Sequence, residues 1–162
     1  MDIQELFRQA MDRDLPELVE MGKVRLNLGA GNKPIPGVIN LDYPAWDADV
    51  DPLPYEDGAV DGILAYHFLE HLRNPVAMLV ECQRVLRSGG VMQICVPYGT
   101  SSMALHDLDH KHFFNEDTWK VLFSTPYYDK NKVDWKFKVH FNLIAGIVGR
   151  NLCLLTQLLK EN

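Results

Sequence analysis

The sequence predicts an α/β domain built on an open sheet of mostly parallel strands, with an antiparallel strand near the C-terminus and helices on both faces. Three observations predict it. An apolar run over residues 23–28 stops at two glycines, Gly29 and Gly31, whose missing side chains permit a tight turn and close approach of a ligand. Short apolar runs then alternate with segments of helical spacing as far as residue 123. Finally, residues 133–141 alternate apolar and polar without a break, the pattern of a half-buried strand.

Composition bounds the function. At 162 residues the chain has the length of one domain with a sizeable core. Net charge is −6 and there is no basic run, so no nucleic-acid partner is expected. Cys82, Cys95 and Cys153 are odd in number and lack metal-ligand spacing. Buried reduced thiols, a cytoplasmic location and no metal site are therefore expected. The N-terminus has acidic residues early and no apolar leader core. The apolar stretch 141–155 is interrupted by Asn142, Arg150 and Asn151 and makes a poor membrane span.

The elements follow in order. Ile3, Leu6, Phe7, Ala10 and Met11 recur at helical spacing, so residues 2–12 should be an amphipathic helix, followed by a break at Asp14 and Pro16 and a short second turn ending near Gly22. Strand one spans 23–28. The loop after it holds Pro34 and Pro36, which forbid a full helix and make the first crossover mostly loop. Strand two is 38–41 and ends in Asp42. A short third strand is expected at 46–51, and a fourth at 60–66. Asn74 is a good N-cap and Pro75 suits the first helical position, so a helix should run to Arg87 and stop at Ser88-Gly89-Gly90. Strand five is 91–96. Asn115 caps a further helix whose Trp119, Leu122 and Phe123 face inward. The strand at 133–141 should add antiparallel beside strand five. Leu152, Leu155 and Leu159 make the tail 151–160 look helical.

The chemistry centres on residues 24–32 and Asp42. Backbone N–H groups at Gly29 and Gly31 can approach a ligand, and a carboxylate at the end of the second strand can accept both hydroxyls of a ribose. Tyr43 could lay its ring on a purine, and Asp49 could accept from an adenine amine. The pair of prolines disfavours a dinucleotide, whose pyrophosphate needs a helix amino terminus.

Residues 26–32, Asp42, Leu53-Pro54-Tyr55, 60–66, Leu69-Glu70-His71-Leu72 and 84–90 together resemble the class I S-adenosylmethionine-dependent methyltransferases, and among them the type 11 group. The resemblance covers residues 23 to about 123. It implies a Rossmann-like sheet of seven strands and S-adenosyl-L-methionine as cofactor. It further implies that Asn27, Gly29, Ala30 and Gly31 pass the methionine part, that Asp42 takes the ribose with Tyr43 beside it, that Asp49 and the Val50 amide meet the adenine, and that Tyr66 and His67 face the transferred methyl group. Asn27 departs from the acid common at its position. On this reading residues 1–22 are a helical cap, 23–97 the cofactor-binding core, and 98–162 a substrate loop, helix and C-terminal strand and helix.

His106, His110 and His112 with Asp107 and Asp109 fit no zinc pattern. Asp107, His110 and Phe113 match a family stretch that lies over the site, which makes 106–114 a substrate-facing loop. Methyl transfer needs alignment, exclusion of water and, for some acceptors, loss of a proton. His67 and His110 are the catalytic candidates, since histidine titrates near neutrality; His71 is assigned a structural hydrogen bond and Glu70 a capping or solvent-facing role. The expected acceptor is a small molecule or the precursor of a surface polymer. The alternative is a silent cofactor-binding module acting through a partner. With one of the two final family strands unseen, the sheet edge would be exposed, and the tail or a homodimer through the C-terminal region would cover it.

Overall fold

The computed structural model describes residues 24–124, 133–147 and 151–162. The expected helical cap at 1–22 lies outside the described residues. The strands are β1 (Arg25–Leu28), β2 (Ile39–Leu41), β3 (Val60–Tyr66), β4 (Leu86–Pro97), β5 (Phe137–Ile147) and β6 (Asn151–Lys160). The helices are α1 (Pro75–Val85), α2 (Ser102–His106) and α3 (Glu116–Ser124), with a 3₁₀ turn at Leu69–His71. One sheet runs in the order β2-β1-β3-β4-β6-β5. β1, β2, β3 and β4 are parallel, and β6 is antiparallel to both of its neighbours.

The parallel half forms as the apolar runs dictate. Leu26 and Leu28 are fully buried and pair with Ile63 and Ala65 of β3. Helices α1 and α3 cover one face, where Met78, Leu79, Cys82 and Trp119 join Leu26, Ile63, Met92, Ile94 and Leu158 in one core. The other face carries Cys95, Cys153 and Leu155, against which Tyr66 and Met103 of α2 pack. α1 begins as its sequence requires: Asn74 Oδ1 accepts the Ala77 N–H at 3.1 Å and Pro75 follows it. Asn115 Oδ1 likewise accepts the Thr118 N–H.

Several boundaries differ from expectation. Residues 46–51 form a turn, leaving six strands among the described residues. Asp47 and Asp51 explain this: Asp47 N–H donates to Asp51 Oδ2 and Asp49 N–H to Asp47 Oδ1, so side chains supply locally what a sheet partner would. α1 stops at Val85, two residues early, because fully buried Leu86 turns extended and pairs with Val60. Gly89 and Gly90 then lie inside β4, where the register shifts; a Cβ at Gly90 would meet the Arg87 carbonyl at 2.8 Å.

The C-terminal half needs the larger correction. The tail is strand β6, not a helix, and it inserts between β4 and β5. The alternating segment therefore pairs with β6 and not with β4, and it begins at Phe137. Residues 153–158 are all buried. A strand covered on both faces reads as a continuous apolar run, and such a run does not separate strand from helix by period. Both C-terminal strands are thus present, and the sheet edges are β2 and β5.

Candidate active site

The C-terminal ends of the four parallel strands gather the residues singled out from sequence. At the end of β1 the chain turns through Gly29 (φ +68°) and Gly31 (φ +53°). Gly29 N–H donates to the Leu41 carbonyl at 2.9 Å, and the ring of Phe68 lies where a Cβ on Gly29 would be. At Gly31 the space beside Cα is open. Its N–H donates to Asp42 Oδ2 at 2.6 Å, and Tyr43 N–H donates to Asp42 Oδ1 at 2.9 Å. A carboxylate offers about four lone-pair sites, so each oxygen keeps one for a further donor. Ala30, Gly31, Asp42, Trp46, Asp51 and Pro52 line a cleft of about 480 Å³ beside this cradle, within the usual range for small-ligand sites. No helix separates β1 from β2, as the two prolines require.

Asn27 sits apart from this opening. It is buried, and its Nδ2 donates to Asn40 Oδ1 at 2.9 Å. Asn40 in turn accepts from Ile35 N–H and donates to the carbonyls of Ile35 and Val38. The pair pins the proline loop to the sheet. Tyr43 is exposed. Asp49 is held by the Arg73 N–H at 2.7 Å, with Arg73 Nε at 3.7 Å, and the Val50 N–H donates within its own turn to the Asp47 carbonyl. Trp46 packs near Phe68, the ring centroids 6.2 Å apart.

At the end of β3, Tyr66 turns to the second face, its hydroxyl 3.3 Å from Gln93 Oε1, and burial pushes its phenol well above the ordinary range. His67 adopts a left-handed backbone (φ +50°), uncommon for a residue other than glycine. Its N–H donates to the Cys95 carbonyl at 2.8 Å. Nδ1 lies 3.3 Å from Glu70 Oε1. Nε2 lies 3.8 Å from Cys95 Sγ and 3.9 Å from Cys153 Sγ. Hydrogen bonding to Cys153, then to Glu70, pushes the imidazole up to about 9. Cys95, beside Cys153 and buried, is held well above the thiol range; Cys153 is shifted down by the Cys95 thiol and by His67.

Glu70 is not the solvent-facing or capping group expected of it: its side chain is 1% exposed. Its carboxylate and the ring nitrogens of His71 and His110 lie within 4.8 Å of one another. The two rings meet edge to face with centroids 4.8 Å apart. The His110 side chain is 6% exposed, with Nδ1 3.0 Å from the Ala104 carbonyl and Nε2 3.7 Å from Asp107 Oδ2. In the same loop Leu108 and Phe113 are exposed.

Residues 26–94 match the family model described as a methyltransferase domain. Over that stretch the chain is similar to a methyltransferase domain. The cofactor that goes with such a domain is S-adenosyl-L-methionine, and the open glycine cradle with a carboxylate keeping two acceptor sites fits its adenosyl half. Solved structures agree on the fold. A putative methyltransferase from Bacillus halodurans is 12% identical with a TM-score of 0.62, over 95% of this chain and 100% of that one. The [4+2]-cyclase SpnF is 12% identical with a TM-score of 0.68, over 94% and 80%. The 1,6-didemethyltoxoflavin-N1-methyltransferase of Burkholderia thailandensis, solved with S-adenosylhomocysteine, is 14% identical with a TM-score of 0.63, over 96% and 78%. Comparison with curated protein sequences gives no match.

Sequence reasoning passed over Asn40, Trp46, Phe68, Cys95 and Cys153. Phe68 adjoins His67 in the chain and could have been weighed with it. The thiols reach His67 only through the sheet, and no local spacing announces them. No helix among the described residues is long and apolar enough to cross a membrane.

Proposed function

We propose that the protein transfers the methyl group of S-adenosylmethionine to a small molecule or to the precursor of a surface polymer. The observation that carries this reading is Asp42: a carboxylate at the end of β2, fixed by the Gly31 and Tyr43 amides, with an acceptor site left on each oxygen beside an open cleft. Bound there, the cofactor supplies a sulfonium methyl already activated for displacement. Asp42 would hold the ribose, the Gly29-Ala30-Gly31 turn would pass the methionine part, and Tyr43, Asp49 and Val50 would border the adenine. Asn27 would support the loop through Asn40 rather than touch the ligand. Tyr66 and His67 would wall the methyl side.

Proton removal, where the acceptor requires it, falls to His110. Its Nδ1 faces the Ala104 carbonyl at 3.0 Å, and its Nε2, 3.7 Å from Asp107 Oδ2, is the nitrogen that would take the proton. His67, the other candidate, faces Glu70 through one ring nitrogen and the thiols through the other. The same engagement favours a second reading, a silent cofactor-binding module acting through a partner, and the [4+2]-cyclase SpnF has a similar fold. Edge strand β5, with exposed Leu143 and Ile144, is where a homodimer would form; a monomeric mass by light scattering at high concentration excludes it.

Release of S-adenosylhomocysteine against a panel of acceptors separates the two readings. Turnover that falls sharply in His110→Ala, with cofactor affinity kept, supports the assignment of the base. Turnover with unchanged His110→Ala rates leaves positioning alone. Cofactor binding without turnover on any acceptor supports the silent module.

A further inference from the structure

Three side chains far apart in sequence converge at the end of β3. His67 Nε2 stands 3.8 Å from Cys95 Sγ and 3.9 Å from Cys153 Sγ, and all three atoms lie within 4.8 Å of one another. A tetrahedral zinc ion with Zn–S of about 2.3 Å and Zn–N of about 2.0 Å requires ligand–ligand edges of about 3.5–3.8 Å. The cluster has nearly that size without rearrangement. The thiols sit on adjacent strands, Cys95 opposite Leu155 and Cys153 opposite Pro97, so they are diagonal neighbours on one face of a rigid sheet. His67 is brought over them by its left-handed backbone and by its N–H bond to the Cys95 carbonyl.

The surroundings point the same way. Glu70, 1% exposed, directs Oε1 at His67 Nδ1 from 3.3 Å, and neither of its oxygens makes a hydrogen bond of good geometry. A carboxylate behind a histidine is the usual means of fixing a metal-bound imidazole and raising its basicity. The thiols are buried, whereas 41% of the His67 side chain is accessible, which gives an ion a way in. Two thiolates and one imidazole form a donor set suited to zinc.

We propose that His67 Nε2, Cys95 Sγ and Cys153 Sγ are the protein ligands of a Zn²⁺ site, with Glu70 orienting His67 and the fourth position left to water or another small ligand. Binding needs a neutral imidazole and two thiolates, so the protons these three groups hold pass to solvent, and the resulting Zn²⁺–dithiolate unit is neutral. Cys82, fully buried in the core of the opposite face, takes no part. This inference does not depend on which acceptor, if any, is methylated.

The test uses the full chain, reduced and stripped with a chelator, and titrated with Co²⁺ as an optical probe and then with Zn²⁺. One Co²⁺ per chain is expected, with tetrahedral d–d absorption and a thiolate-to-cobalt charge-transfer band, both abolished by added Zn²⁺. Cys95→Ser and Cys153→Ser should each weaken the charge-transfer band and lower affinity. Glu70→Gln should lower affinity about 10–100-fold, and Cys82→Ala should change nothing. Should the serine variants not fold, His67→Asn and His67→Cys decide, since Asn accepts the left-handed backbone. The first should lose the site. The second should keep a tetrahedral site with a stronger sulfur band. A wild type without the charge-transfer band, a Cys95→Ser/Cys153→Ser double variant that retains it, or binding of Cu⁺ alone would overturn the proposal.

Discussion

The ring of Phe68 occupies the space beside Gly29 so closely that a Cβ there would sit 2.5 Å from Cδ2. The residue after His67 thus locks the turn at the end of β1 onto the end of β3. Gly29 also has φ +68°. Gly29→Ala should therefore destabilise by about 2–4 kcal/mol, combining left-handed strain with overpacking. Measured in a Phe68→Ala background, whose own core truncation is costly, Gly29→Ala should lose the overpacking part and keep only the backbone strain. Denaturant unfolding of the single and double variants measures both.

Asn27 carries an amide where the family resemblance leads to an acid, and its partner is Asn40. Asn40 Oδ1 faces Asn27 Nδ2 while Asn40 Nδ2 is engaged with Ile35 and Val38. Asn27→Asp would set a buried carboxylate against a carbonyl oxygen with no donor to receive it. A loss of about 1–3 kcal/mol is expected, read as a lower thermal midpoint, with no gain in cofactor affinity.

Arg84 clamps the loop before β3. It forks onto Glu81 at 2.8 and 3.0 Å and donates to the carbonyls of Leu53 and Tyr55 and to Asp57. Because its side chain is 30% exposed, Arg84→Ala should cost about 1–2 kcal/mol, and Lys, which cannot fork, should restore only part.

The same pair predicts a pH dependence. Hydrogen bonding to Arg84 holds the Glu81 carboxyl below its ordinary value of 4.5. A carboxyl lowered on folding contributes stability that is complete above that value and lost as pH falls through the lowered one. Unfolding midpoints across that range should drop less steeply in Glu81→Gln than in the wild type. Parallel slopes would contradict the assignment.

The parallel half of the fold was legible because its signals are local. The glycine turn, the Asn74-Pro75 start of α1 and the Asn115 cap each act within a few residues. The C-terminal half was not. β6 is buried on both faces, so Leu152, Leu155 and Leu159 fitted a helix as readily as a strand, and its partner β5 could be placed only once β6 was. Residues 46–51 look like a strand by apolar content, yet Asp47 and Asp51 close them into a turn. At the site, Gly29, Gly31 and Asp42 announce themselves through spacing. The cluster of His67, Cys95 and Cys153 exists only after β3, β4 and β6 have paired, and Glu70 took on meaning once it was found buried behind His67.

Asp42 and the glycine turn are proposed to bind S-adenosylmethionine. Calorimetric titration of S-adenosylhomocysteine into the wild type and into a folded Asp42→Ala variant tests it most directly. Removing two charge-assisted hydrogen bonds should weaken binding by about 100-fold or more. Equal affinity in the two proteins, or no binding by the folded wild type, would contradict the account.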